Sequence, residues 1–235
     1  MVSKVIGFDK SVFLRQESLL GSAFQKKIGS LKIGVLGLGG LGSNICQLLT
    51  RLGVRDFVLM DFDKIEKHNL SRQELFGFHD VGLFKADVIA RELKRINPDL
   101  DVFVSKKKVS SLKDLDPFLD CDIVFDGLDN HKTRRLLDLF CKQEQKNWIH
   151  GSAVRAECVA YFFDESTRYE DIYSLDAKDF DCNLEGVLPT TTSLTANLQV
   201  QLLINFLAGK NHWNKFIKIN LFDLSFDVFS VKKSD

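Results

Sequence analysis

Residues 32–61 read KIGVLGLGGLGSNICQLLTRLGVRDFVLMD, and their order decides the fold. Ile33, Val35 and Leu36 make a short apolar run of strand type. Gly37, Gly39 and Gly42 follow as G-x-G-x-x-G. Leu41, Ile45, Leu48, Leu49 and Leu52 then recur at helical spacing, and Gly53 is a natural stop. A second buried strand ends at Asp61. Strand, glycine turn, helix and strand in that order are the pattern of a nucleotide-binding βαβ unit. Gly37 and Gly39 let the backbone bend and approach phosphate oxygens, and Gly42 lets the helix pack tightly on the strand. The helix N-terminus adds unpaired N–H groups and partial positive charge. Without a ligand, the same glycines make only a tight strand-to-helix turn.

Asp61 lies 24 residues beyond Gly37, a spacing that suits a carboxylate accepting hydrogen bonds from ribose hydroxyls. A carboxylate there repels a 2′-phosphate, so NAD and ATP both fit at this point. Asp63 either joins that site or only shapes the turn. The stretch DFDKIEKHNLSRQ, residues 61–73, then supplies Asn69, Arg72 and Gln73, and Lys85 follows. Hydride transfer has no use for two cations beside a nucleotide. Phosphoryl or nucleotidyl transfer does, because negative charge accumulates on phosphate oxygens in its transition state. Arg offers a planar fork for two oxygens and Lys a point charge. Taken singly, Arg72 and Lys85 read better as solvated surface residues than as phosphate ligands.

Outward from this unit the alternation continues. Ala86, Ile89, Ala90, Leu93 and Ile96 predict an amphipathic helix stopped by Asn97-Pro98. LDVFVSKKKV and DIVFD predict strands, the second ending on Asp126. GLDN opens a helix to about residue 145, NWIHGSA returns as a strand, and VRAECVAYFF alternates as another. The pattern is lost from about 164 to 190, a length usual for a functional loop. TSLTANLQVQLLINFLAG predicts a long helix, and FIKINLFDLSFDVFSVKK two strands, antiparallel to each other. The expected fold is α/β, a Rossmann-like nucleotide-binding domain whose mixed sheet is parallel first and antiparallel in its C-terminal strands. One domain over 1–235 is expected: an N-terminal helical arm (1–30), a Rossmann-like core (31–163), a crossing loop (164–190), and a helix with closing strands (191–235).

Composition narrows the function classes. The 235 residues are 45% hydrophobic and 27% charged, with 32 basic and 32 acidic side chains. Zero net charge disfavours a nucleic-acid partner, and Lys106–Lys108 read as a solvated strand end. No apolar run approaches the roughly 18 residues of a membrane span, and the first residues lack the apolar core of a signal peptide. A cytoplasmic protein with reduced thiols is expected. The five cysteines, at 46, 121, 141, 158 and 182, include no CxxC pair, so no zinc is expected. Cys46 and Cys121 read as core residues and Cys158 as structural.

The stretch GLGGLGSNICQLLTRLGVRDFVLMDFDKIEKHNLSRQ, followed by VGLFK, FDGLDN and GSAVRAE, closely resembles the ThiF/MoeB/HesA family of adenylyltransferases, relatives of ubiquitin-activating enzymes. The resemblance runs from about Arg15 to the last strands. It implies binding of ATP with Mg²⁺ and adenylation of the C-terminal glycine carboxylate of a small ubiquitin-like sulfur carrier ending in Gly-Gly, for thiamine or molybdopterin synthesis. Gly37, Gly39, Gly40 and Gly42 would form the nucleotide loop, and Asp61 would take the ribose. Asn69, Arg72, Gln73 and Lys85 would surround the phosphates. Asp129 matches the acid that holds Mg²⁺. Taken by itself, Asp129 before Asn130 reads as a helix cap. Arg15 matches an arginine that reaches the site of the partner protomer, which implies a homodimer. Cys182, in DCNLEGVLPTTTSL, matches the family's crossing-loop cysteine, which forms a persulfide or covalent link to the carrier; it reads equally as an incidental thiol. Many relatives carry two zinc-binding CxxC pairs that this chain lacks, so the region after 164 must be held by packing. Other acceptors, a peptide or a modified tRNA nucleoside, and an inactive nucleotide-binding regulator are the competing expectations.

Overall fold

A computed structural model describes residues 10–176, 185–211 and 213–231. Its strands alternate with helices from β1 onward: β1 (Lys32–Leu36), α3 (Gly40–Leu52), β2 (Asp56–Met60), α4 (Lys85–Ile96), β3 (Asp101–Ser105), β4 (Ile123–Asp126), α5 (His131–Gln143) and β5 (Asn147–Val154). The arm before β1 holds a 3₁₀ turn at Lys10–Phe13, α1 (Leu14–Leu20) and α2 (Ser22–Gly29). After β5 come β6 (Glu157–Phe163), the long helix α6 (Pro189–Leu207), β7 (Phe216–Asn220) and β8 (Ser225–Phe229). Between β6 and α6 the described residues hold a 3₁₀ turn at Tyr169–Asp171 and a single bridge of Val187 to Arg155.

All eight strands share one sheet in the order β3-β2-β1-β4-β5-β6-β7-β8. β3, β2, β1, β4 and β5 are mutually parallel; β6, β7 and β8 are antiparallel to their neighbours. Strand order reverses between β1 and β4, so the switch point, where ligands bind in doubly wound sheets, lies at their C-terminal ends.

Period two explains how the sheet is covered on both faces. Ile33, Val35, Phe57, Leu59, Ile123 and Phe125 point to one side, where α3, α4 and α6 add Ile45, Leu49, Ile89 and Leu203. Leu36, Val58, Met60 and Val124 point to the other and meet Phe118, Leu137, Phe140, Trp148 and Tyr161. Gly34 makes this second core possible: a Cβ there would stand 2.6 Å from Phe118 Cδ1. Helix α6 packs on α3 and across β5 and β6. α3 and α6 run in the same direction, since Gly40 meets Thr192 at one end while Leu52 and Ile204 line one cleft at the other.

Candidate functional site

The glycine turn sits at the switch point. Gly37 donates its N–H to the Met60 carbonyl at 2.9 Å and has φ +85°, the left-handed region that favours glycine. A Cβ on Gly37 would lie 2.7 Å from the Gly127 carbonyl group on β4's outgoing loop. A Cβ on Gly42 would collide with the Gly37 carbonyl oxygen. Gly37, Gly42 and Gly127 therefore close on one another, and the helix of the βαβ unit starts hard against its strand. Gly127 is part of this packing although its role was not evident from sequence. α3 has no side-chain cap and no acid in its first turn, as a helix N-terminus facing an anion requires.

Asp61 is buried rather than an exposed strand-end acid. Its Oδ2 accepts from the Leu38 N–H at 2.6 Å and its Oδ1 from the Asp63 N–H at 2.7 Å. The carboxylate thus braces the glycine turn and retains lone pairs for a ribose hydroxyl. Burial pushes the carboxyl above its ordinary range, and Lys85 nearby pulls it back.

Beyond β2 the chain makes a 3₁₀ turn at Lys67–Ser71. Asn69 is buried, and its Oδ1 accepts from the Glu66 N–H at 3.0 Å, so it builds the turn that carries Arg72 and Gln73. Arg72 is half-buried, and its Nη1 donates to the His68 carbonyl at 3.0 Å. Gln73 is 3% exposed, and its Oε1 is buried without a hydrogen-bond partner. Its Nε2 lies 3.6 Å from where a Cβ on Gly39 would stand. A buried amide lacking a partner costs free energy unless something else meets it. That oxygen is an acceptor, as phosphate oxygens are, so a nucleotide phosphate would pair only with the Nε2 N–H groups, which lie beside the glycine turn. Gly40 faces the first turn of α6, where a Cβ would be 2.9 Å from Thr192 Cγ2.

Lys85 opens α4 with its side chain 8% exposed, and its Nζ donates to Asp63 Oδ2 at 2.9 Å. Asp63 is therefore more than a turn former: it holds the cation of the site. Asp129 is exposed, and its Oδ1 accepts from Asn130 Nδ2 at 3.2 Å. The cap of α5 is Asn130, whose Oδ1 accepts from the Thr133 N–H at 2.9 Å. The capping expectation for Asp129 thus moves one residue along and leaves the Asp129 carboxylate facing outward. Among the described residues no three His, Cys, Asp or Glu side chains are placed to hold a metal. One carboxylate beside a phosphate cradle is nonetheless the usual donor set for Mg²⁺, which takes most of its ligands from water and phosphate oxygens.

Beneath the Asp129 loop, Asp126, the strand-end acid that sequence offered as a support for Asp129, centres a buried polar group whose other members the motifs did not reveal. Asp126 Oδ1 accepts from the Leu128 N–H at 2.8 Å, and its Oδ2 accepts from Arg134 Nε at 2.9 Å and His150 Nδ1 at 2.6 Å. Burial alone would raise the Asp126 carboxyl, but Arg134 and His150 hold it below its ordinary value. Tyr169 and Tyr173 stack at 4.7 Å and close over His131 and His150. This aromatic group docks the segment after 164 by packing. An imidazole in a fully buried strand was the signal available from sequence.

Arg15 is exposed on α1, away from these residues. Its neighbours show where it sits: Gln16 Nε2 donates to the Leu52 carbonyl at 2.7 Å, and Phe13 lies against Gly53. Leu52 is about 18 Å along α3 from Gly40 at the helical rise, well beyond the reach of an arginine. Cys182 lies outside the described residues. Cys46, Cys121, Cys141 and Cys158 are buried free thiols, and burial pushes the Cys121 thiol up to about 12, which leaves it inert.

Fold and site together define a doubly wound α/β protein of the type that binds nucleotides, with Lys85 and Arg72 at the switch-point end of the sheet. Residues 13–235 match the ThiF family, and the chain belongs to it. The chain is 30% identical over 221 residues to a probable molybdopterin-synthase adenylyltransferase of Gracilaria tenuistipitata var. liui, covering 90% of this chain and 61% of that protein. It is 26% identical over 238 residues to the ubiquitin-like modifier-activating enzyme 5 of Drosophila virilis, covering 88% of this chain and 58% of that one. The chain thus spans about three fifths of the length of these relatives. Crystal structures of E. coli MccB share the fold: the one with ATP superposes with a TM-score of 0.84 at 22% identity, over 96% of this chain and 73% of that one.

Proposed function

We propose that the protein is an ATP-dependent adenylyltransferase that activates the C-terminal glycine carboxylate of a small ubiquitin-like sulfur carrier. The observation that carries this reading is the set of donors at one end of the sheet: the Gln73 Nε2 beside the glycine turn and the Lys85 ammonium held by Asp63, with Arg72 and the exposed Asp129 carboxylate at the same end. The names of the relatives favour a carrier of molybdopterin synthesis over one of thiamine synthesis.

In this reading ATP lies with its phosphates over Gly37–Gly42 and its ribose on Asp61. The acceptor carboxylate attacks the α-phosphorus. A carboxyl-oxygen-to-phosphorus bond forms, the bond to the bridging oxygen breaks, and pyrophosphate leaves with its electron pair. No general base takes part, because the carboxylate is already ionised at neutral pH. Charge accumulates on the phosphate oxygens. Lys85 exchanges Asp63 for them, and Arg72 offers its guanidinium. Asp129 would hold Mg²⁺, whose part is to neutralise phosphate charge. Arg15 of the partner subunit completes the set, which makes the active form a homodimer. ATP–pyrophosphate exchange with purified carriers ending in Gly-Gly tests the reading; exchange with none of them rejects it.

A second acceptor class has one observation in its favour. The fold superposes with a TM-score of 0.85 on E. coli MccB solved with a peptide ligand, MccA-N7isoASN. Exchange driven by short peptides and not by a Gly-Gly carrier would select it.

A further inference from the structure

Leu128, the residue before Asp129, is held at both of its backbone groups. Its N–H donates to Asp126 Oδ1 at 2.8 Å, and its carbonyl accepts from Arg134 Nη2 at 2.5 Å. The same Arg134 nitrogen donates to the Gly151 carbonyl at 3.1 Å, which ties the loop to β5. Asp126 is ionised and so can only accept. His150 Nδ1, at 2.6 Å, must then carry the proton of that bond. The ring is fully buried and neutral, so its Nε2 is an acceptor, and it meets the Tyr173 hydroxyl at 3.0 Å. A single ordered line therefore runs from the Tyr173 O–H through His150 and Asp126 to the Leu128 N–H. Every donor and acceptor along it has one possible sense.

Tyr173 belongs to a segment that is itself anchored. Arg135 Nη2 donates to the Ser174 and Leu175 carbonyls, each at 2.9 Å, and fixes the segment on α5. Tyr169 meets His131 Nδ1 at 2.6 Å on the same helix.

We infer that Tyr173 is a positioning residue whose hydroxyl, acting through His150 and Asp126, sets the stance of the loop that presents Asp129. The inference rests on the reading of Asp129 as a metal-holding carboxylate under Proposed function. The glycine cradle has braces outside this line: Asp61 accepts from the Leu38 N–H, and Gly42 closes on the Gly37 carbonyl. Loss of the Tyr173 hydroxyl should therefore disturb the metal side of nucleotide binding and spare the cradle.

The test is calorimetric titration with ATP in Mg²⁺ and with ATP in EDTA, on the wild-type protein, Tyr173→Phe and Tyr161→Phe, with Tm recorded for each. Tyr173→Phe keeps the ring that packs on Tyr169 and His131. Tyr161 is a buried tyrosine of β6 whose hydroxyl meets Thr167, outside the line to Leu128. For Tyr173→Phe the expected result is ATP·Mg affinity weakened about three- to tenfold, the size of one hydrogen bond's net contribution, with ATP affinity in EDTA unchanged. Tyr161→Phe should lower Tm and leave both affinities alone. Equal weakening of both ATP forms by Tyr173→Phe, no change in either, or the same split from Tyr161→Phe overturns the positioning role. Wild-type affinity indifferent to Mg²⁺ would instead reject the reading of Asp129 itself, and the inference with it.

Discussion

Lys85 ends 2.9 Å from Asp63 on a side chain that is almost entirely covered. A buried ammonium without a partner is costly, so the acid offsets its burial and holds it in place, and in the proposed reaction phosphate oxygens would take over that role. Its charge then matters most where negative charge is greatest, in the transition state. Lys85→Ala should reduce pyrophosphate exchange by roughly two decades in kcat, with a smaller change in ATP affinity. Exchange at the wild-type rate would make the pair with Asp63 purely structural. Cys182 has no part in that step, since a carboxylate attacks phosphorus without help from a thiol. Cys182→Ala is expected to leave exchange intact and to change only later sulfur transfer to the carrier; collapse of exchange would place the thiol or its loop in the first step.

At the scale of elements, the loop between β4 and α5 depends on one buried carboxylate. Asp126 is held below its ordinary pKa in the folded chain, so its contribution to stability is complete above about pH 4 and is lost as pH falls through the folded value. Asp126→Asn leaves Arg134 buried without a counter-charge, and breaking such a pair costs about 3–5 kcal/mol. Urea unfolding at pH 7 should show that loss, and the gap between variant and wild type should narrow as pH drops below about 4. A gap that does not change with pH would mean that the carboxyl is already protonated in the native state. The β1–turn–α3–β2 unit was legible because its signals are local: period two, three glycines, then apolar spacing of three and four. β4, α5, β5 and β6 followed from the same periodicities. The Asp126 group was not legible, because Arg134, His150 and Tyr173 meet only after β5 has been laid beside β4. Nothing at a spacing of 8, 24 or 47 residues marks them as neighbours. The cap at Asn130 and the Asp63–Lys85 pair were missed for a related reason: each requires knowing which of two adjacent polar residues points inward.

At the scale of the molecule, Arg15 stands at the wrong end of α3 to serve the site of its own chain, because Gln16 and Phe13 fix it beside Leu52 and Gly53. The last hairpin meanwhile exposes Phe222, Leu224 and Phe226 at 76%, 82% and 60%, an apolar edge of the kind a second subunit covers. Both features agree with a two-fold dimer in which Arg15 acts on the partner's nucleotide. An arginine finger is worth roughly 10³–10⁵ in phosphoryl transfer, so Arg15→Ala should be nearly inactive in pyrophosphate exchange while its Tm stays close to wild type. Complementation separates action in trans from action in cis. In a mixed dimer of Arg15→Ala and Lys85→Ala chains, action in trans leaves one site with both groups intact and the other with both missing, so about half of the wild-type exchange per dimer returns. Action in cis leaves every site with one lesion, and nothing returns. The mixed dimer is obtained by co-expressing differently tagged chains and purifying through both tags. Exchange by that species at the level of the single variants would remove Arg15 from the partner's site.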